Sequence, residues 1–322
     1  MMRRLFIVLA AAMILLSACA PGGGEASTSA PTTSSAGAEQ SAQGTCTFTD
    51  SLGNTVELEQ PPKRVAALLG SYAETWLLAG GEVVAVTQDA YDERGLELPE
   101  DTVNLGANQQ PDLEALFAAE PDLVLLTPDL DGQMGLRDSL EAAGIPAAWF
   151  KVETFDDYLN MLKICTDLTG RSDLYQKNGL DIQSEIDAAI ASVPEGEAPT
   201  VLLLRAYSSG VRAKNSDNIA GAILKDLGAA NIADSDSGLL EDLQMESILA
   251  ADPEFIFVTT MGASQEAALE SLDELLHSDP AWQTLTAVKE DRVEVLPKDL
   301  FHYKPNARWG ESYQMLAELM YG

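Results

Sequence analysis

Residues 113–125 read LEALFAAEPDLVL, and residues 245–257 read MESILAADPEFIF. Glu, Ala, Ala and Pro coincide, and acid stands against acid at two further positions. The offset is 246 − 114 = 132 residues. Each copy has the apolar spacing of a short helix, then a proline that cannot continue it, then an apolar run of strand length. One unit repeated at the spacing of a domain predicts two similar α/β lobes.

The flanking sequence extends both lobes. Around the first copy, residues 65–69 and 83–87 are apolar strands, and Ser71 and Glu74 have the spacing of a capping box opening a helix to residue 79. Glycines at 80–81 and 144 stop helices, and residues 146–150 are extended. Before them, residues 47–58 (TFTDSLGNTVEL) form a strand–turn–strand pattern about Gly53-Asn54. Around the second copy come a strand at 200–204, a helix at 219–227, a helix at 269–276, a strand at 293–296 and a closing amphipathic helix at 309–320. Alternating helices and wholly apolar strands predict parallel sheets covered on both faces.

Between the halves, Tyr158, Met161, Leu162, Cys165 and Leu168 fall at helical spacing. Ile182, Ile186, Ala189, Ile190 and Val193 continue it. This predicts one long helix, or two nearly collinear ones, over residues 155–193. The expected fold class is therefore α/β: two Rossmann-like lobes with parallel-rich sheets (46–154 and 194–322) joined by a long rigid α-helix (155–193), with a ligand cleft between the lobes.

The chain has 322 residues, with 19 Lys+Arg against 51 Asp+Glu, a formal net charge of −32. Such acidity excludes a nucleic-acid binder, which needs a basic footprint. Two His exclude a three-imidazole zinc site. No Gly-x-Ser-x-Gly, P-loop or Gly-x-Gly-x-x-Gly stands at a strand–helix junction, which disfavours catalysis.

At the N-terminus, Arg3 and Arg4 precede a 12-residue apolar run, Leu5 to Leu16, of secretory length. Leu16-Ser17-Ala18-Cys19 resembles a bacterial lipobox. That resemblance implies a lipoprotein signal peptide at 1–18, lipidation of Cys19, and an extracytoplasmic protein anchored to the cell membrane. Residues 19–45, rich in small and polar types, are expected to be a disordered tether. In an oxidising compartment Cys46 and Cys165 either pair as a disulfide or stay separate buried thiols.

The sequence resembles the helical-backbone class of ABC-transporter substrate-binding lipoproteins, the type serving iron-siderophore, haem and cobalamin importers. The resemblance rests on DSLGNTVELEQPPKRVAAL (50–68), PDLEALFAAEPDLVLL (111–126), GAILKDLGAANI (221–232), MESILAADPEFIFV (245–258) and the connector. It implies a monomer with no intrinsic cofactor. It implies as cargo a small-molecule metal chelate, a ferric siderophore first and then haem or a corrinoid. It also implies docking on an ABC permease dimer through one acid per lobe, and the matching positions are Glu114 and Glu246. Taken alone, each acid also suits the first turn of a helix. The alternatives are a surface scavenging or adhesion lipoprotein without a permease, and an α/β hydrolase-like enzyme.

Ligands of open α/β sheets sit beyond the carboxyl ends of the strands. In the first lobe that points to Tyr72 and Tyr91. In the second it points to the stretch after residue 204, which holds Arg205, Tyr207, Arg212 and Lys214, and to His302 and Tyr303 after the last strand. Arginine forks suit carboxylate or hydroxamate oxygens. His302 or Tyr303 could reach a metal directly, although the residue types favour stacking and hydrogen bonding against an organic chelate.

Overall fold

The protein was described from a computed structural model covering residues 44–322, except 197 and 263, together with the strand Glu39–Gln40. Residues 1–38 and 41–43, which include the expected signal peptide and Cys19, lie outside the described residues. Glu39–Gln40 pairs antiparallel with Cys46–Thr49, so the first ladder begins inside the stretch read as tether. Cys46–Thr49 and Thr55–Leu58 form the expected antiparallel pair. Asp50 closes their turn by accepting the N–H groups of Leu52 and Asn54.

The first lobe has five parallel strands in the order Val103–Asn104, Val83–Val86, Val65–Ala67, Leu123–Leu126, Ala147–Trp149. The chain starts in the middle and winds outward both ways, so the switch point lies between Val65–Ala67 and Leu123–Leu126. In the second lobe Thr200–Tyr207 is central, with Phe255–Thr260 and Val293–Val295 parallel on one side. On its other side lie the parallel Ala230–Asn231 and the antiparallel Gly210–Ala213.

Alternation sorts each sheet into two faces. Ala66, Leu68, Val124 and Leu126 pack outward in one lobe, and Leu202, Leu204, Ile256 and Val258 in the other. The opposite faces, with Val65, Leu123, Leu203 and Phe257, belong to a single buried cluster. Phe155, Tyr158, Ile182, Ile186, Trp309 and Leu316 carry that cluster from lobe to lobe. The Phe155 and Trp309 rings lie 6.1 Å apart, edge to face, a geometry that adds about 0.5–1.5 kcal/mol beyond burial. A shared apolar core of this kind resists wide opening.

The connector corrects the sequence reading. Phe155–Thr169 ends at Gly170 in the left-handed region, φ 71°. Helix resumes as Ser172–Tyr175, passes through a π-turn at Gln176–Leu180 and continues as Asp181–Ala191. Tyr158 donates its hydroxyl to the Asn178 carbonyl at 2.8 Å. Residues twenty apart on a straight helix would stand about 30 Å apart, so the two segments fold against each other. Helical spacing is the same on both sides of Gly170 and cannot report the reversal.

The disulfide alternative is also corrected. Cys46 and Cys165 are both free and buried. Burial pushes both thiols above their ordinary pKa, and each packs as a small apolar group.

Candidate functional site at the seam of the lobes

The first lobe's carboxyl edge is built from a close approach. A Cβ on Gly70 would fall 2.6 Å from the Ala90 nitrogen, so only glycine lets the helix Gly70–Leu78 begin there. Asp89 accepts the Gly70 N–H at 2.7 Å and the Thr87 hydroxyl at 2.5 Å. The expected Ser71 cap does not form, because Ser71 already lies inside the helix. Tyr72 is corrected as well. It faces inward, fully buried, and its hydroxyl donates to the Phe150 carbonyl. It supports the seam floor rather than lining an open cleft. Tyr91 is half-buried against the same core.

Glu74, read as a cap partner, bridges the lobes. It pairs with Arg94 and accepts from the Asn306 amide at 2.7 Å. The same amide donates to the Ser71 carbonyl at 2.9 Å. Asn306 is 1% exposed and left-handed, φ 53°, a conformation that asparagine tolerates better than other side chains. Sequence spacing could not show this contact across 232 residues.

The second lobe's edge carries the cations. The stretch after residue 204 is a hairpin in which Arg212 is the cross-strand partner of Arg205, and Gly210 of Tyr207. Cross-strand partners share a face, and like charges directly opposite repel. The hairpin carries Lys214 back along the strand, where its N–H meets the Leu203 carbonyl. Lys214 therefore leaves the strand-end position the sequence assigned it. Arg205 donates to the Thr259 hydroxyl at 3.3 Å, and burial lowers its pKa.

After the last strand, Lys298, His302, Tyr303 and Lys304 return to the seam. Burial, then Arg205, Lys298 and Lys304, depress the His302 pKa to about 4, so the ring is neutral at pH 7. Its Nδ1 is buried without a hydrogen-bond partner. Tyr303 lies 5.3 Å from His302, and its hydroxyl is pushed up to about 12 by burial and then by Glu93. The Lys304 ammonium stands 5.8 Å from the Tyr72 ring centroid, and burial lowers its pKa. Lys298 donates to the Gly262 carbonyl at 3.0 Å. The signal for Lys298 was legible, since it follows Pro297 directly at a strand end.

Among the described residues, Arg205, Arg212, Lys298 and Lys304 form no ion pair. Cavities of about 340, 460 and 360 Å³ open elsewhere, and none is lined by Arg205, His302 or Lys304. Glu114 and Glu246 each lie exposed in the first turn of their helix, Leu113–Ala118 and Met245–Ala251.

The geometry defines a two-lobed binder with a cationic seam. Comparison with known proteins agrees. The periplasmic binding protein family model matches residues 65–300, and the chain belongs to that family. The Fe(3+) dicitrate-binding periplasmic protein of Escherichia coli K12 is 27% identical over 256 residues, covering 77% of this chain and 80% of the relative. The Fe(3+)-citrate-binding protein of Bacillus subtilis 168 is 22% identical over 243 residues, covering 74% of each. The crystal structure of the periplasmic haem-binding protein of Vibrio cholerae superposes with a TM-score of 0.66 at 22% identity, covering 80% of this chain and 99% of that one.

Proposed function

We propose that this chain is the extracytoplasmic solute-binding component of an ABC importer and that its cargo is an anionic, carboxylate-rich ferric chelate, with ferric citrate the first candidate. One observation carries the reading: Arg205, Lys298 and Lys304 all bear on His302, Arg212 stands across the hairpin from Arg205, and among the described residues none of the four forms an ion pair, in a chain of net charge −32. Such a cluster repels a bare metal ion and attracts its carboxylate complex. Arginine forks match carboxylates two oxygens at a time. The neutral His302, with Nδ1 free, adds a hydrogen-bonding group, while Tyr303 offers a ring to stack. The two ferric-citrate relatives support the same cargo class. Lipidation of Cys19, supported by Leu16-Ser17-Ala18-Cys19, tethers the lobes to the membrane. Glu114 and Glu246 face the permease, and the protein acts as a monomer.

Titration of the purified protein with ferric citrate, haem and cobalamin, followed by tryptophan fluorescence and absorbance, tests the cargo. Saturable quenching by ferric citrate is expected. Arg205→Ala should weaken it by about tenfold to a hundredfold, the value of one buried charge-assisted bond. A Soret band without a ferric-citrate response would move the cargo to haem. No response to any of the three would defeat the reading.

A further inference from the structure

Seven large apolar side chains stand exposed among the described residues, and Phe117 and Leu249 are two of them, at 36% and 39%. They hold the same place in the two copies of the repeat, 249 − 117 = 132 residues apart. The burial pattern agrees position by position. Leu113 and Met245 are half-buried, Glu114 and Glu246 exposed, Leu116 and Ile248 fully buried, Phe117 and Leu249 exposed again. Each exposed apolar group follows its acid by three residues, which places both on one helix face.

Both helices lead back to the amino edge of their own sheet. The Asp112 N–H donates to Leu105, just past the end of strand Val103–Asn104. The helix that follows returns to the amino edge, where the Asp122 N–H meets the Arg64 carbonyl at 2.9 Å. In the second lobe the Glu254 N–H meets Thr200 at the amino edge in the same way. The first-lobe helix therefore begins at the carboxyl edge of its sheet, and both helices end at the amino edge.

We infer that Phe117 and Leu249 are paired apolar anchors of the docking surface, each seated beside its acid in a cationic-rimmed apolar pocket on one half of a two-fold permease. The inference rests on the permease reading above and deepens it. A carboxylate alone steers and orients, and an apolar anchor beside it excludes water from the ion pair. Leu116 and Ile248 already fix each helix to its core, so packing does not require Phe117 or Leu249 to be apolar.

The test replaces the chromosomal gene with variants and measures uptake of radiolabelled ferric citrate by the cells, beside ferric-citrate affinity and thermal midpoint of each purified protein. Phe117→Ser with Leu249→Ser should keep affinity within about twofold while uptake falls at least about tenfold, as for loss of interface hot spots. The apolar exchange Phe117→Leu with Leu249→Phe should keep at least about half of the uptake and guards against misfolding of the serine variant. Wild-type uptake in the serine variant, with uptake abolished by Glu114→Lys and Glu246→Lys, overturns the anchors and leaves the acids as the docking groups. Uptake untouched by that charge reversal overturns the permease reading and the anchors with it.

Discussion

The carboxyl edges of the two lobes are alike in architecture and opposite in electrostatics. Both are ends of parallel strands flanked by a copy of the same helix–proline–strand unit. On the first lobe the acids at the edge serve structure: Asp89 holds Gly70, and Glu74 holds Arg94 and Asn306. On the second lobe an added antiparallel strand and the segment after the last strand deliver cations that form no ion pair among the described residues, although Asp129, Glu153 and Asp157 act on Lys304 at longer range. The same frame thus occurs twice, while the unpaired cations stand on one side of it. An anion bound in the seam would be held mainly by the second lobe, with the first acting as a floor and a clamp.

The largest effect should come from breaking the acid's structural use. Asn306→Ala removes two buried hydrogen bonds and forces alanine into the left-handed region. The expected loss is about 2–4 kcal/mol of unfolding free energy. Asn306→Gly, which relieves the backbone but still lacks the amide, should fall between. Urea denaturation of the three proteins measures both parts. Equal stability of alanine and asparagine forms would mean that the Asn306 amide adds nothing to the bridge between the lobes.

An intermediate effect tests how firmly burial and the neighbouring cations keep His302 neutral. The His302 pKa is about 4 in the folded protein, against 6.5 for an ordinary histidine. Above pH 6.5 the ring is neutral folded or unfolded and nothing changes. Between 6.5 and 4 the unfolded chain binds a proton that the folded chain refuses, so stability falls as the pH falls, then levels off below 4. The contribution is about 2–3 kcal/mol across that window. His302→Gln should remove it, so the wild-type-minus-variant difference in unfolding free energy should shrink by that amount from pH 7 to pH 4. A pH-independent difference would show that neither burial nor the three cations hold the ring neutral.

Much of the frame was legible and much of the site was not, for one physical reason. Residues 113–125 and 245–257 report local periodicity, and both form the expected helix and strand. Even their acids before proline, Glu120 and Asp252, share a positive φ. Local pattern carries no direction after a break, so the fold-back at Gly170 was invisible. Nor does it show contacts between distant segments, and Asn306 with Glu74 is one. Tyr72 was selected as an aromatic at a loop, but Gly70 starts the helix early and turns that ring inward. Arg205 was selected because the apolar run 200–204 ends before it, although the strand itself runs on to Tyr207. Its opposition to Arg212 required the hairpin register, which the serines at 208–209 and Gly210 could have suggested as a tight turn.

The smallest effect separates the two edges most finely. Asp129 is exposed beyond Leu126, and its charge reaches Lys304, Tyr72 and Lys151. Its backbone N–H meets the Thr127 hydroxyl at 3.2 Å, a bond that amidation of the side chain leaves in place. If the first lobe's edge contributes only floor and clamp, Asp129 is a bystander charge that mildly repels an anionic cargo and partly offsets Lys304. Asp129→Asn should therefore tighten ferric citrate, by no more than about threefold because the charge is exposed and screened. The gain should shrink further at high salt. A loss of affinity instead would mean that Asp129 grips the cargo or its metal, and the division of labour between the two edges would have to be redrawn.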